Sequence, residues 1–294
     1  RDLRMSRGLG DVYKRQDHCS TSWGVDELLT LYAGSSENGK QGSNITVQNT
    51  IASESLRMSN HFKGAHGYGA IFGATNSTWH HNLLAHHDSR SPRLDRELQN
   101  TDVRNNVIYN WGTTNSAYGG EPYSYNNKTQ NPSKVNWVNN YYKYGSGTKS
   151  TLRSRIFEVS NAYPSVSKSQ FYFDGNYVYG SSSVTGNNLN GVENIASAEI
   201  LSAPIDMGEY EINTQTAEEA YQTVLNNVGA TLPKRDAIDA RIVNDVINQT
   251  GRIINNADEV GGHINTETTY RTFEIPKSWK DENAMGSAKE TDIV

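Results

Sequence analysis

A short pattern of alternating residues, an asparagine and two further residues of apolar or aromatic character recurs five times between residues 46 and 178. The copies are TVQN-TI, WHHN-LL, VRNN-VI, WVNN-YY and FDGN-YV, and their asparagines are Asn49, Asn82, Asn106, Asn140 and Asn176. Each copy predicts a strand with alternate residues pointing inward, then a corner, then a second short strand. Cys19 occupies the same position in the earlier segment DHCS.

Asparagine suits such a corner because it tolerates the left-handed backbone region and its amide both donates and accepts hydrogen bonds. Amides of successive coils can therefore bond to one another. We expect the residues two places later to stack in one interior column: Ile51, Leu84, Ile108, Tyr142 and Val178. One coil cannot bury its apolar side, so stacking creates the core. The pattern therefore predicts an all-β fold, namely a right-handed parallel β-helix. The alternative is an antiparallel sandwich, but its strands would recur about every 8 to 12 residues, which is shorter than this repeat.

Helical patterns begin after residue 215. Thr216 and Glu219 have the spacing of a capping box, so we predict a helix over Ala217 to Val228 that ends near Gly229. A second helix is predicted over Lys234 to Gln249, with one apolar face: Ile238, Ile242, Val243, Val246 and Ile247. We expect both helices to pack on the outside of the solenoid.

Three segments follow from these patterns. Residues 1–16 show neither alternation nor a helical stripe, and RMSRGLGDVYKRQ looks like translated adapter sequence, so we expect a non-native leader there. Residues 17–215 are expected to form the β-helix and catalytic domain. Residues 216–294 are expected to supply helices and an extended tail that pack on it.

The net charge of −5 and pI near 5.9 give no global reason to bind nucleic acid or an anionic membrane. An acidic ligand would therefore need a local cationic patch. No apolar run is long enough to span a bilayer. Cys19 is the single cysteine, which excludes an intrachain disulfide, and we expect a small buried thiol.

Five motifs carry a family resemblance: DHCSTSWGVDE, ITVQNTIASESL, NHFKGAHGYGAIFG, HHNLLAHHDSRSPR and NNVIYNWG occur in this order. Together they resemble the pectate lyases of the pectin-degrading β-helix superfamily. The likeness is strong from Asp17 to about Trp111, and AEEAYQTVLNNVGATLPKRDAIDARIV and DEVGGH resemble the C-terminal part of the same group. The resemblance implies a monomer that is secreted, periplasmic or on the cell surface and acts on polygalacturonate or pectin with Ca²⁺.

The implied reaction is β-elimination, in which a base removes the proton α to a uronate carboxyl and the 4-oxygen leaves. Cations on the carboxylate are the main requirement, because they stabilise the growing negative charge. Arg90, in RSPR, matches the arginine that the family is believed to use as base. An isolated guanidinium is very hard to deprotonate, so a clamp on the carboxylate is the alternative role. Lys63, in HFKG, matches the family's substrate-binding lysine and could also protonate the leaving group.

Arg93 and Arg96 are candidates for a second carboxylate clamp. The family often has an arginine three residues after the proline, and this chain has Asp95 there, followed by Arg96. His61 is a further candidate contact to substrate. A transition-metal site is suggested by the number of histidines, namely His61, His66, His80, His81, His86 and His87. Neighbouring histidines on a strand point to opposite faces, so we expect all six to be structural or sugar-contacting histidines rather than zinc ligands.

Calcium requires hard oxygen ligands, and Asp26 in GVDE best matches a calcium ligand of the family. Asp17 is a second candidate, either as a ligand or as a structural hydrogen-bond acceptor, and Glu27 is a third. Where the family often has a glutamate four residues before Asp26, this chain has Ser22. The resemblance also implies carboxylates upstream of Asp17, so we expect an incomplete calcium site.

Two other functions stay open. A β-helix hydrolase of the polygalacturonase kind needs two poised carboxylates, for which Asp88 and Asp95 are available. A catalytically silent polysaccharide-binding solenoid is the second alternative. Several aromatic residues could stack on sugar rings or fill the core: Trp79, Trp111, Trp137, Tyr118, Tyr123 and Tyr125.

Overall fold

The computed structural model describes residues 13–32, 42–122, 132–161, 167–208 and 212–264. Within these ranges the chain passes repeatedly through three sheets and adds one short strand to each in turn. The first sheet contains Lys14–Asp17, Gly42–Gln48, Ala74–His80, Thr101–Arg104, Lys134–Val138, Ser169–Asp174 and Ala198–Ile200. The second contains Ser20–Ser22, Ile51–Ser53, Leu83–Ala85, Val107–Tyr109, Tyr141–Lys143 and Tyr177–Val178. The third contains Leu29–Thr30, Ala70–Phe72, Arg93–Leu94, Ala117–Gly119, Phe157–Val159 and Val192–Glu193.

The predicted right-handed parallel β-helix is confirmed. Strands of successive coils pair in parallel, and each coil lies in register on the one before it, as in the pairing of Val47 with Trp79 and of Trp79 with Val103. An asparagine corner separates the first sheet from the second, whereas longer loops lead from the second sheet to the third. Residues 24 to 36 apart in sequence therefore become neighbours in space.

The corner between the first two sheets carries a buried ladder of asparagine amides. The amide oxygen of Asn106 accepts from the main-chain N–H of Asn82 at 3.0 Å, and Asn140 and Asn176 repeat this bond at 3.0 and 2.9 Å. Asn188 ends the ladder by accepting from Asn176. Stacked amides are thus confirmed for four of the five predicted asparagines.

Asn49 is the exception, and its prediction was wrong by one residue. Ile51 pairs with Leu83, so Thr50 occupies the ladder position and its N–H donates to Asn82. Asn49 lies one place earlier, in the left-handed region with φ of 48°. The interior column shifts with it, because Ala52 rather than Ile51 joins the core that contains Leu84.

The interior of the coils is filled by apolar and aromatic side chains. Trp79, Trp111 and Trp137 are fully buried, so they pack the core and cannot stack on sugar. Cys19 is exposed, contrary to the expectation of a buried thiol, because it lies in the first described coil. Lys14–Gln16, from the segment set aside as a leader, extend the first strand in register with Ile45 and its neighbours.

Helix α1 spans Ser182–Gly186, α2 spans Ala217–Asn227 and α3 spans Ala237–Asn248, with short 3-10 turns at Ser150–Leu152, Asn188–Gly191, Ile195–Ser197 and Ala257–Val260. The predicted capping box of Thr216 and Glu219 is present. Helices α2 and α3 pack on the outer face of the second sheet in one apolar cluster that contains Val224, Ile242 and Leu83. None of the helices in the described part of the chain is long and apolar enough to cross a membrane. The division near residue 216 stays a proposal, and residues 265–294 of the expected tail lie outside the described ranges.

Candidate functional site

Candidate residues from several coils meet where the chain enters the third sheet. Asp26 and Glu27 come just before Leu29–Thr30, Tyr68 comes just before Ala70–Phe72, and Arg90 precedes Arg93–Leu94. Because these strands pair in parallel and in register, the residues before them lie side by side. The solenoid therefore gathers residues that the repeat alone does not connect.

Arg90 stands at the centre of this group. Its guanidinium forms an ion pair with Glu27, donates through Nε to the Tyr118 hydroxyl at 3.1 Å, and lies 4.3 Å from the centre of the Tyr68 ring. The side chain is 22% exposed, so a ligand can still reach it. A carboxylate contact stabilises the protonated guanidinium. Arg90 is thus paired with one carboxylate and remains partly open to a ligand.

A column of stacked rings leads from the surface to Arg90. Phe62, 86% exposed, stacks on His61 at 4.8 Å, and His61 stacks on His66 at 4.1 Å with an interplanar angle of 4°. The ring of His66 lies 4.1 Å from that of Tyr68, which contacts the Arg90 guanidinium. The loop that carries the predicted Lys63 is thereby tied to Arg90 through packed rings.

Tyr68 was not identified as a site residue from the sequence. The available signal was its position, two residues before the third-sheet strand Ala70–Phe72. Burial raises the pKa of Tyr68 above its ordinary value, and the charges of Tyr118 and Asp88 act in the same direction. Its phenol therefore stays protonated at neutral pH.

Asp26 meets two histidines of the stacked column. Its Oδ2 lies 3.5 Å from Nε2 of His61, and its Oδ1 lies 3.5 Å from Nε2 of His66. Oδ1 is shielded from solvent and accepts no hydrogen bond from any described residue. The three side chains could together hold a metal ion.

This set of donors fits calcium poorly. Calcium takes about six to eight oxygen ligands. The described residues around Asp26 offer one carboxylate and two imidazole nitrogens, and the carboxylate of Glu27 is engaged by Arg90.

Asp17 lies at another corner, between the first and second sheets. Its carboxylate accepts from Asn49 at 2.9 Å and from Arg15 at 2.8 Å, and His18 lies 2.7 Å away. Burial raises the pKa of Asp17, but the bonds from Asn49 and neighbouring groups outweigh it, so its pKa is lowered. These contacts match the structural alternative for Asp17, and its role as a metal ligand stays a prediction.

Lys63 is exposed in the loop between Phe62 and Gly64. Its ammonium lies 5.4 Å from the centre of the Phe62 ring, and its main-chain N–H donates to Nδ1 of His61 at 3.2 Å. The structure therefore places Lys63 beside the group formed by Asp26 and the histidines.

Arg93 and Arg96 both bind Asp95, at 3.3 and 3.4 Å. Arg93 also contacts Glu121 at 3.1 Å and lies on the same strand pairing as Tyr118. Burial by itself lowers the pKa of Arg93, but the carboxylates of Glu121 and Asp95 outweigh it and raise the pKa above its usual value. Arg93 is therefore a fixed cation.

The carboxylates considered for a hydrolase are already occupied. Asp95 is buried between Arg93 and Arg96. Asp88 pairs with Arg57 at 3.0 Å and accepts from Thr113. Arg57, which sequence reasoning did not identify, adds another partly exposed cation near Tyr68.

Two further observations delimit the site. Tyr118 lies at the site, whereas Tyr123 and Tyr125 fall outside the described residues. A cavity of about 680 Å³ lies on the outer face of the first sheet, lined by polar side chains such as Asn76 and His80. It contains none of the residues around Arg90, so side-chain chemistry rather than cavity size identifies the candidate site.

Comparison with known proteins agrees with this geometry. No protein-family model matches the chain. A probable pectate lyase C of Emericella nidulans is 27% identical over 250 residues, which cover 84% of this chain and 51% of that protein. A probable pectate lyase C of Aspergillus terreus is 28% identical over 249 residues, covering 84% of this chain and 52% of that protein. This chain is similar in sequence to proteins named pectate lyase.

The similarity covers only part of these longer proteins. The chain spans about half the length of the curated relatives it matches. A solved structure reported for the substrate specificity and anti β-elimination mechanism of pectate lyase aligns with a TM-score of 0.43 and 17% identity, covering 74% of this chain and 50% of that one. A thermostable pectate lyase aligns with a TM-score of 0.36 and 13% identity, covering 74% of this chain and 54% of that one.

Proposed function

We propose that this chain carries the catalytic region of a pectate lyase that cleaves (1-4)-α-D-galacturonan by β-elimination and releases 4,5-unsaturated oligogalacturonides. The observation that carries the proposal is the position of Arg90, a partly exposed cation beside Tyr68 and Tyr118 at the mouth of the third sheet. The relationship to proteins named pectate lyase supports the same reaction.

The reaction needs positive charge on the uronate carboxylate. A base takes the proton from C5, and the electron pair left behind forms the 4,5 double bond as the bond between C4 and its oxygen breaks. The departing oxygen then takes up a proton. Negative charge builds on the carboxylate before the bond breaks, and fixed cations lower that barrier. Arg90 is proposed to contact this carboxylate, and exposed Lys63 to contact a neighbouring uronate or the departing oxygen.

Glu27 bears on whether Arg90 acts as base or as clamp. An arginine can act as a base only after its guanidinium has lost a proton, and Arg90 is ion-paired with Glu27 here. The clamp needs no such change. Arg93 and Arg96 are proposed as further substrate contacts, restrained by Asp95, and His61 as a contact on the stacked column.

Calcium assistance stays a prediction. In the group of Asp26, His61 and His66, the side-chain oxygens belong to Asp26, so the other oxygen ligands of a calcium ion would have to come from other residues. The acidic polysaccharide partner, the monomeric state and the secreted, periplasmic or cell-surface location also stay predictions.

The decisive assay follows polygalacturonate with calcium and with chelator, measuring ultraviolet absorbance of unsaturated product and reducing ends in parallel. A lyase gives both signals, and a calcium-dependent one loses both with chelator. A hydrolase gives reducing ends alone. A silent binding solenoid gives neither signal, and either of these two results would reject the proposal.

Arg90→Lys should lower the ultraviolet signal by about a hundredfold or more, because lysine keeps the charge and loses the planar fork. The matched control is Arg104→Lys, since Arg104 is also ion-paired, with Asp102, but lies on the first sheet. Circular dichroism should show both variants folded. An Arg90→Lys protein as active as the Arg104→Lys control would remove Arg90 from the catalytic group.

A further inference from the structure

We propose that Asp26, His61 and His66 form a binding site for a divalent transition-metal ion of the zinc and cobalt class. The three side chains come from two loops that meet at the entrance to the third sheet. One ligand atom from each residue lies within 4.8 Å of the other two.

Donor chemistry selects this class of metal over calcium. Imidazole nitrogen suits zinc, copper, iron and nickel, whereas calcium binds through oxygen. The two histidines supply two of the three donors, and both approach the carboxylate through Nε2. A hard ion would leave both nitrogens without a role.

Two of the separations between donors, each to a different oxygen of Asp26, are also close to those around a bound ion. Bonds of about 2.0–2.1 Å to a tetrahedral ion place two of its ligand atoms about 3.3–3.4 Å apart. The distances from Asp26 oxygens to the two imidazole nitrogens are 3.5 Å each. They are too long for good hydrogen bonds and close to this ligand separation. The shielded Oδ1 of Asp26, which accepts no hydrogen bond from a described residue, would gain a partner in the ion.

One imidazole must turn for the ion to bind. The two rings are stacked in parallel, whereas a metal lies near the plane of each imidazole that binds it. His61 is flanked by exposed residues of its loop, and its Nδ1 accepts a 3.2 Å bond from the Lys63 main chain, so a turn of the His61 ring would move Lys63 with it. The backbone of His66 is anchored instead, because its main-chain N–H donates to the carbonyl of Arg57 at 2.7 Å. Metal binding should therefore reorient the loop that carries Lys63.

Three protein ligands leave a fourth position of a tetrahedral ion open, as in catalytic zinc sites. That position would lie beside Lys63 and the stacked column that leads to Arg90. If the proposed function holds, a uronate carboxylate oxygen is the natural fourth ligand. The metal site itself does not depend on the lyase reaction.

The test is a titration of the full chain with Co²⁺, followed by the visible absorption of the tetrahedral ion, and then displacement with Zn²⁺ or Ca²⁺. Cys19→Ser serves as the background, so that the exposed thiol does not compete for the ion. We expect a one-to-one Co²⁺ spectrum that Zn²⁺ displaces and that a large excess of Ca²⁺ leaves in place. No substrate is used, so the result is separate from the lyase assay.

His61→Ala and His66→Ala should each weaken Co²⁺ binding by at least about tenfold, as should Asp26→Asn, which keeps the shape of the carboxylate. His18→Ala is the control, because His18 lies at another corner of the coil. The proposal fails if the parent gives no Co²⁺ spectrum, if Ca²⁺ displaces Co²⁺ as readily as Zn²⁺ does, or if His18→Ala loses the spectrum while His61→Ala retains it. His61→Gln gives a second variant at the partly exposed position should His61→Ala not fold.

Discussion

His87 is fully buried, which keeps its imidazole neutral, and the ring makes two hydrogen bonds. Its Nδ1 lies 2.8 Å from the hydroxyl of Ser55 and its Nε2 lies 2.9 Å from the carbonyl of Ala52, so Nε2 donates and Nδ1 accepts. Burial lowers the pKa of His87 to about 3, against an ordinary value of 6.5. His87 is therefore a core residue of the coil, as the sequence-based view of structural histidines expects.

Acid should destabilise the protein through His87. Below pH 6.5 the unfolded chain binds a proton at this residue and the folded chain does not until the pH approaches about 3. Within this window the free energy of unfolding should fall by about 1.4 kcal/mol per pH unit from His87 alone. Urea unfolding across the range measures the slope, and His87→Gln should reduce it by about that amount.

His263→Gln supplies the control, because His263 is exposed and meets Trp23 only at the edge of its ring. Carboxylates such as Asp245, whose pKa is lowered although burial alone raises it, contribute to the acid slope of all the variants alike. Identical slopes for the parent and His87→Gln would show that His87 is not the titrating group.

Among elements, the asparagine ladder determines how the coils stack. Asn106 is buried and accepts from the main chain of Asn82, while its own Nδ2 donates to the carbonyl of Trp79 at 2.8 Å and to Asn140 at 3.0 Å. The ladder thus provides hydrogen bonds to main-chain groups at the corner, where pairing between strands does not provide them. Each asparagine of the ladder both donates and accepts through its amide, whereas Thr50 contributes only its main-chain N–H to the ladder.

Asn106→Ala should break the ladder in the middle. Each buried polar group left without a hydrogen-bond partner costs about 1–3 kcal/mol. The substitution leaves more than one such group unpaired, so we expect the free energy of unfolding to fall by about 3 kcal/mol or more. Asn248→Ala, at an exposed position in α3, should change it by less than about 0.5 kcal/mol. Chemical denaturation of both variants measures the difference, and a small effect at Asn106 would mean that the ladder contributes little.

At the scale of the whole molecule, α3 is joined to the solenoid by a buried ion pair. Glu54 is 1% exposed and accepts two bonds from Arg241 of α3, at 2.6 and 2.8 Å. It also accepts from the indole of Trp23 at 2.9 Å. Trp23 lies three residues before Asp26, so this contact connects the helices to the candidate site.

Arg241→Leu should destabilise the molecule by about 3–5 kcal/mol, because the charge of Glu54 is left buried without its partner. The double variant Glu54→Leu with Arg241→Leu should recover much of that loss, which a double-mutant cycle measures. The control is Arg252, which is 58% exposed and pairs with Glu259. Arg252→Leu should lower the free energy of unfolding by at most about 1 kcal/mol. An Arg241→Leu effect no larger than this would contradict the bridging role.

The sequence by itself determined the solenoid, its asparagine corners and the two outer helices. These features depend on local chemistry, namely alternation, an amide at the corner and a capping box, and such signals lie within a few residues of the structure they predict. The error at Asn49 came from the same source, since Thr50 fills a ladder position that the asparagine pattern assigned to its neighbour.

Only the tertiary structure decided which of the candidate residues meet. Glu27 was expected at a metal and lies against Arg90, while His61 and His66, which no spacing rule joined, both face Asp26. The physical reason is that strand register brings together residues from different coils, whereas the lengths and shapes of the loops into the third sheet determine which side chains touch. The repeat fixes the register, and it leaves those loops unspecified.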